Sequence, residues 1–95
     1  MTKIVVKQLQ WDEANVAHIK KHRVSVIEAE LAMHNFIAHV RAKKGRYIAI
    51  GRSDKRLISL VIRRQATGVY YVVTARDASK LERSIVYEKE KSSNS

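Results

Sequence analysis

The run Arg46-Tyr47-Ile48-Ala49-Ile50-Gly51-Arg52 alternates in side-chain character. In an extended strand a period of two puts Arg46, Ile48, Ile50 and Arg52 on one face. Two arginines then stand at the rims of an isoleucine pair that a helix would cover. A guanidinium there can clamp a phosphate through two parallel hydrogen bonds, or be a solvated strand end. Gly51 permits a neighbouring backbone or a ligand to come close. Thr74-Ala75-Arg76-Asp77 stands where a buried strand gives way to a helix. Free N–H groups at a helix start attract anions, so Arg76 either adds to a phosphate site or pairs with Asp77 at the surface. His18 and His22 have the i,i+4 spacing of two metal ligands on one helix, but no zincin pattern accompanies them. His22 can act as a general acid or base, since imidazole titrates near neutral pH, or can be a packed, hydrogen-bonded side chain. Tyr87, one turn after Arg83 and near Lys80, can stack a base or protonate a leaving group, or pack against a sheet edge or a partner.

Composition narrows the field in which such groups could work. The 95 residues carry 19 Lys and Arg against 9 Asp and Glu, a formal charge of +10. A field of that sign attracts phosphate backbones; it also suits an acidic protein partner. There is no cysteine, which excludes disulfides and thiolate metal sites and fits a reducing compartment. Acids are too scarce for the carboxylate cluster of a metal-dependent nuclease. No Walker loop, no G-x-G-x-x-G and no paired carboxylates occur. No cofactor is expected, and any nuclease chemistry would be metal-independent, built from His, Arg, Lys and Tyr. The longest apolar runs, Leu60–Ile62 and Val69–Val73, are far short of a membrane span. The start Met1-Thr2-Lys3-Ile4 has no apolar export region, so a cytoplasmic location is expected, away from membranes.

The elements that must hold these residues follow from pattern. Thr2–Gln10 reads as a strand. Asp12 is suited to cap a helix whose buried stripe is Val16 and Ile19, with Trp11 beside it and Lys21 pointing away. Ser25-Val26-Ile27-Glu28 has capping-box spacing, opening a second helix with an apolar face of Val26, Ile27, Leu31 and Met33. Strands are predicted at Phe36–Ala42, Arg46–Arg52, Leu57–Ile62 and Val69–Ala75, with turns at Lys43–Gly45, Ser53–Lys55 and Gln65–Gly68. Asp77 caps a last helix through about Glu90, packed by Ala78, Leu81 and Ile85. The order β-α-α-β-β-β-β-α is α+β: a small antiparallel meander with two N-terminal helices and one C-terminal helix. One domain over residues 1–90 and a flexible polar tail at 91–95 are expected.

Several of these residues together resemble a known family. Trp11-Asp12-Glu13, Asn15, His18-Ile19, Lys21-His22 and Val24 followed by Glu28 and Glu30 look like the opening of BrnT-family toxins. Arg46–Arg52 resembles that family's central strand. Val69–Arg76 with Ala78, Glu82-Arg83 and Tyr87-Glu88 resembles its ending. The likeness spans roughly residues 9–90. It departs at Arg23 and Gly45, where many members carry Gly and Glu. The resemblance implies a RelE-like fold and the toxin of a type II toxin–antitoxin system, an endoribonuclease that stops translation by cutting RNA. It also implies a cognate antitoxin, often of ribbon-helix-helix type, with operator DNA bound only through the toxin–antitoxin complex. Carried over, the catalytic candidates are His22, Arg46, Arg76 and Tyr87. The RNA-binding candidates are Trp11, Lys21, Arg52, Lys80 and Arg83. Two other readings fit the same basic chain: a non-catalytic nucleic-acid-binding module, and a domain whose basic face only receives an acidic antitoxin-like chain.

Overall fold

A computed structural model describes residues 4–93. Eight elements follow in order: β1 (Gln8–Gln10), α1 (Glu13–Lys21), α2 (Val26–His34), β2 (Phe36–Arg41), β3 (Arg46–Ser53), β4 (Arg56–Ala66), β5 (Val69–Asp77) and α3 (Lys80–Ser93). The α+β class and the run of elements are as expected. Of the predicted first strand only Gln8–Gln10 is extended in a sheet, and residues 2 and 3 lie outside the described residues. α3 runs on to Ser93, past Glu90 and into the predicted tail; residues 94 and 95 lie outside the described residues.

The sheet has five strands in the order β1-β5-β4-β3-β2. β2 to β5 form the expected antiparallel meander, but β1 joins β5 in parallel, Leu9 beside Tyr70. The sheet is therefore mixed. The partner of this short edge strand, some sixty residues later, has no local sequence signal.

The helices begin where the side chains can serve them. Asp12 accepts from the Asn15 N–H while Asn15 Oδ1 accepts from the Asp12 N–H, each at 2.8 Å. Ser25 and Glu28 repeat the reciprocal box on α2. α3 differs from expectation: β5 runs through Asp77, and Ser79 caps the helix in a box with Glu82. Asn15 also donates to the carbonyls of Gln10 and Val72, which explains why an amide is buried on α1.

The stripes of α1 and α2 also differ from the hydrophobic pattern. Ile19, Ala29, Ala32 and Met33 are buried, whereas Ile27 is 79% exposed and Val16 and Leu31 are largely open. α2 presses its backbone onto β3, so its inward positions have room only for small side chains. A Cβ on Gly51 would lie 1.7 Å from the Ala32 carbonyl oxygen. The close approach anticipated at Gly51 is therefore that of a helix backbone. α1 and α2 close one face of the sheet over Ala49, Ile58, Leu60, Ile62, Tyr70, Val72 and Ala75. α3 covers part of the other face, where Val86 and Ala78 meet Ile50 and Leu57 with Ile48 alongside. Leu81, expected in that contact, is 72% exposed. No helix among the described residues is long and apolar enough to cross a membrane.

Candidate nucleic-acid interface

Strand register arranges the α3 side of the sheet into rows. Ile50 stands beside Ser59, and Ser59 beside Arg76; Ile48 beside Val61, and Val61 beside Thr74; Arg46 beside Arg63, and Arg63 beside Tyr71. Residues opposite one another across antiparallel strands share a face. α3 closes its core cluster over the first row and Leu57. The row of Arg46, Arg63 and Tyr71 lies outside that cluster.

Three arginines of the chain are tied by carboxylates. Arg76 forms a fork-to-fork pair with Glu82, at 2.7 and 2.9 Å, and also donates to the Asp77 carbonyl. Glu82 is 7% exposed and accepts from the Ser59 hydroxyl and the Ser79 N–H besides. The Arg76 guanidinium, followed by these hydrogen bonds, holds the Glu82 carboxyl down at about 2 despite its burial. Glu82 is thus a fixed anion and a poor proton acceptor near neutrality. Arg52, at the far rim of β3, forks onto Glu90 of α3. Arg56 joins Glu28 and Asp77 and donates to the Arg23 carbonyl, and its guanidinium keeps the Asp77 carboxyl below its ordinary range. Asp77 therefore serves Arg56, not Arg76. Each of these arginines fastens helical or loop chain to the sheet.

The other end of the face is different. Among the described residues Arg46 and Arg63 form no ion pair. The Nε of Arg46 and the Oγ1 of Thr74 are buried without a hydrogen-bond partner. The Arg63 guanidinium lies over the Tyr71 ring, 5.1 Å from its centre. Tyr71 donates its hydroxyl to Asp12 at 3.0 Å, which raises the phenol's proton affinity and places the α1 cap beside this row. Between α1 and the β5 edge a cleft of about 290 Å³ opens, with His18, Arg63 and Tyr71 in its wall.

The structure does not gather the catalytic candidates into one cluster. Ser59 and Arg63, the neighbours of Arg76 and Arg46, are four residues apart on β4, about 13 Å. Arg46 and Arg76 therefore stand two rows apart on this face. His22 ends α1; its carbonyl faces Arg56 and its ring stands edge-on to His18 at 5.4 Å. Lys21 is exposed beside it. Tyr87, Arg83 and Lys80 are exposed on α3, and Arg83 lies close enough to Asp77 to lower its pKa further. Trp11 is on the α1–α2 side, its indole N–H donating to Glu30 at 2.8 Å and its ring against the core. Arg63 and Tyr71 are the groups that the sequence reading missed. Tyr71 reads from sequence as a filler like its neighbour Tyr70, and only register reveals that it joins Arg63 and Arg46.

The fold matches that of the ribonuclease toxin BrnT of Brucella abortus, known from a crystal structure. The TM-score is 0.60 at 22% sequence identity, covering 77% of this chain and 97% of that one. No protein-family model matches the sequence, and no curated protein matches it. The likeness shows a BrnT-like fold, as the family resemblance implied.

Proposed function

We propose that this chain is the toxin of a type II toxin–antitoxin pair, a metal-independent endoribonuclease of the cytoplasm that stops translation by cutting RNA and is silenced by a cognate antitoxin. The observation that carries the reading is the uncompensated arginine row on an open sheet face, in a fold shared with a ribonuclease toxin. A ribose 2′-hydroxyl attacks the adjacent phosphate, expelling the 5′-oxygen of the next nucleotide. Arg46 stabilises the charge that grows on the phosphorane, and Arg76, anchored by Glu82, meets the strand further along. A ribbon-helix-helix antitoxin, with operator DNA bound through the complex, completes this reading. Exposed Ile27 and Leu31 offer such a partner apolar contact.

The test is purified protein with RNA in excess EDTA. Wild type is expected to cleave, and Arg46→Ala to cleave about 100-fold more slowly, the effect of losing one donor to a developing oxyanion. No cleavage by wild type, or equal rates, overturns the reading. Induced expression with growth and RNA integrity followed together tests the toxin role.

Proton transfer falls to a histidine or to Tyr87. His18 opens on the cleft with Arg63 and Tyr71, whereas His22 stands behind it. His18→Gln is therefore expected to slow cleavage about 100-fold, within the range for a general acid or base, and His22→Gln and Tyr87→Phe to slow it less. Rates across neutral pH check this: the order reverses if His22 or Tyr87 carries the proton.

A further inference from the structure

We infer that Arg46 and Arg63 together form a seat for a backbone phosphate of single-stranded RNA, with Tyr71 as the residue that positions Arg63. The inference rests on the ribonuclease reading and adds to it a subsite and its residues.

Arg46 and Arg63 are direct cross-strand neighbours. Like charges so placed repel and destabilise a sheet. Elsewhere on this sheet three arginines are answered by carboxylates, Glu90 for Arg52, Glu28 and Asp77 for Arg56, Glu82 for Arg76, while Arg64 donates to Thr67 and Arg41 is exposed at the β2 end. At Arg46 and Arg63 the chain supplies none among the described residues. An anion from outside would remove the repulsion and receive two guanidinium forks, a geometry suited to phosphate oxygens.

Two further features make the row a built site. The Arg46 Nε and the Thr74 Oγ1, on the same face, are buried and lack partners. Buried polar groups are ordinarily satisfied, so an incoming oxygen completes what the fold leaves open. Arg63 is also held in place: its guanidinium rests on the Tyr71 ring, and the Tyr71 hydroxyl is fixed by the carboxylate that caps α1. A cation fixed before binding loses less freedom when the ligand arrives. The cleft beside it, with His18 on its far wall, gives room for the sugar attached to that phosphate. A nucleic-acid strand fits better than an isolated anion because the open cleft continues from Arg63 and Tyr71 toward His18.

The experiment uses the full chain and a short, fluorescently labelled 2′-O-methyl RNA, which lacks the attacking hydroxyl and reports binding alone. Arg63→Ala is expected to weaken binding roughly tenfold and to reduce the salt slope by about one, as losing one phosphate contact does. Arg63→Lys should restore part of the affinity, and Tyr71→Leu should weaken binding about threefold through loss of the ring that fixes Arg63. Arg41→Ala, at an exposed arginine whose register partner Tyr47 lies on the opposite face of the sheet, should leave it unchanged. Without ligand, the melting temperature of Arg63→Ala should equal or exceed that of wild type, because repulsion is relieved; a merely structural arginine would lower it. Inorganic phosphate forms the second arm. If it binds as tightly as the RNA, the seat is a free-anion site and the inference falls. If wild type binds and cleaves RNA while Arg63→Ala binds equally well, the inference falls and the ribonuclease reading stands. If wild type neither binds nor cleaves RNA, both fall.

Discussion

Gly51→Ala should cost the fold a large share of its stability. The added Cβ would sit 1.7 Å from the Ala32 carbonyl oxygen, 2.7 Å from its carbon and 3.0 Å from the Asn35 carbonyl oxygen. All three are backbone atoms in or just beyond α2, so no side-chain rotation relieves the clash. α2 would have to lift away from β3. That breaks the Asn35–Arg52 hydrogen bonds and opens the contact that buries Ala29, Ala32 and Met33. Overpacking a core with one methylene ordinarily costs about 1–3 kcal/mol. With backbone on the receiving side we expect about 4 kcal/mol or more, in the class of exceptional single substitutions. A small domain has about 5–15 kcal/mol in all. Gly45→Ala is the matched control. Gly45 has a positive φ, 70°, which Gly51 does not, and its Cβ position is open, so the cost there is backbone strain of about 1 kcal/mol. Urea unfolding of the two variants compares strain with contact; a Gly51→Ala loss no larger than that of Gly45→Ala would refute the clash.

The second large effect is at Glu82. Its side chain is 9% exposed and joins Arg76, Ser59 and Ser79. Glu82→Ala leaves Arg76 and Ser59 without their acceptor and is expected to cost about 3 kcal/mol, as breaking a buried pair does. The same group predicts the acid limb. Its carboxyl falls from 4.5 in the unfolded chain to about 2 in the fold. The folded value is the lower one, so the stabilisation is complete above 4.5 and is lost as pH falls from there toward 2. At 1.36 kcal/mol per pH unit that shift is worth about 3 kcal/mol, reduced to about 2 by solvent around the partly exposed guanidinium. Glu82→Gln should therefore be less stable at neutral pH and lose less on acidification. Asp12, Glu28 and Asp77 are also held low, so part of the acid limb remains in that variant. Parallel acid limbs for variant and wild type would refute the assignment.

These two residues also show what a sequence can and cannot disclose. Gly51 in an alternating run signals close approach, and the approach is there. Asp12 and Ser25 signal helix starts because capping is a local event within three residues. Ser79 and Glu82 have the same spacing as Ser25 and Glu28, but Asp77 stands two residues earlier as an equally good cap; only the length of β5 decides between them. Hydrophobicity misassigns Ile27 and Leu31 because α2 packs by backbone proximity, which favours Ala29 and Ala32. Arg23 is plain in sequence, yet it holds a left-handed φ of 60°, at a position where the resembled toxins often carry glycine. In the sequence Arg46 reads as a cation on a strand face and Arg76 as one where a strand gives way to a helix. Their states are not legible there: Glu82 binds one and nothing described here pairs with the other, and that difference lies in register and tertiary contact. Arg63 and Tyr71 were illegible for the same reason, since cross-strand neighbours are set by how β4 and β5 align.

The parallel pairing of β1 with β5 bears on how the chain becomes functional. Asn15 on α1 reaches a carbonyl 57 residues later, at Val72, and Tyr71 of the same strand meets Asp12. Contacts so distant in sequence form late and slowly. During synthesis, which runs from the N-terminus, β1 and α1 emerge early and wait for β5 before they can dock. The β3–β4 hairpin can bring Arg46 and Arg63 together before that, but the ring that steadies Arg63 and the α1 wall of the cleft arrive only with β5. A nascent chain that has not reached Tyr71 thus carries the charges of the Arg46–Arg63 row without their geometry.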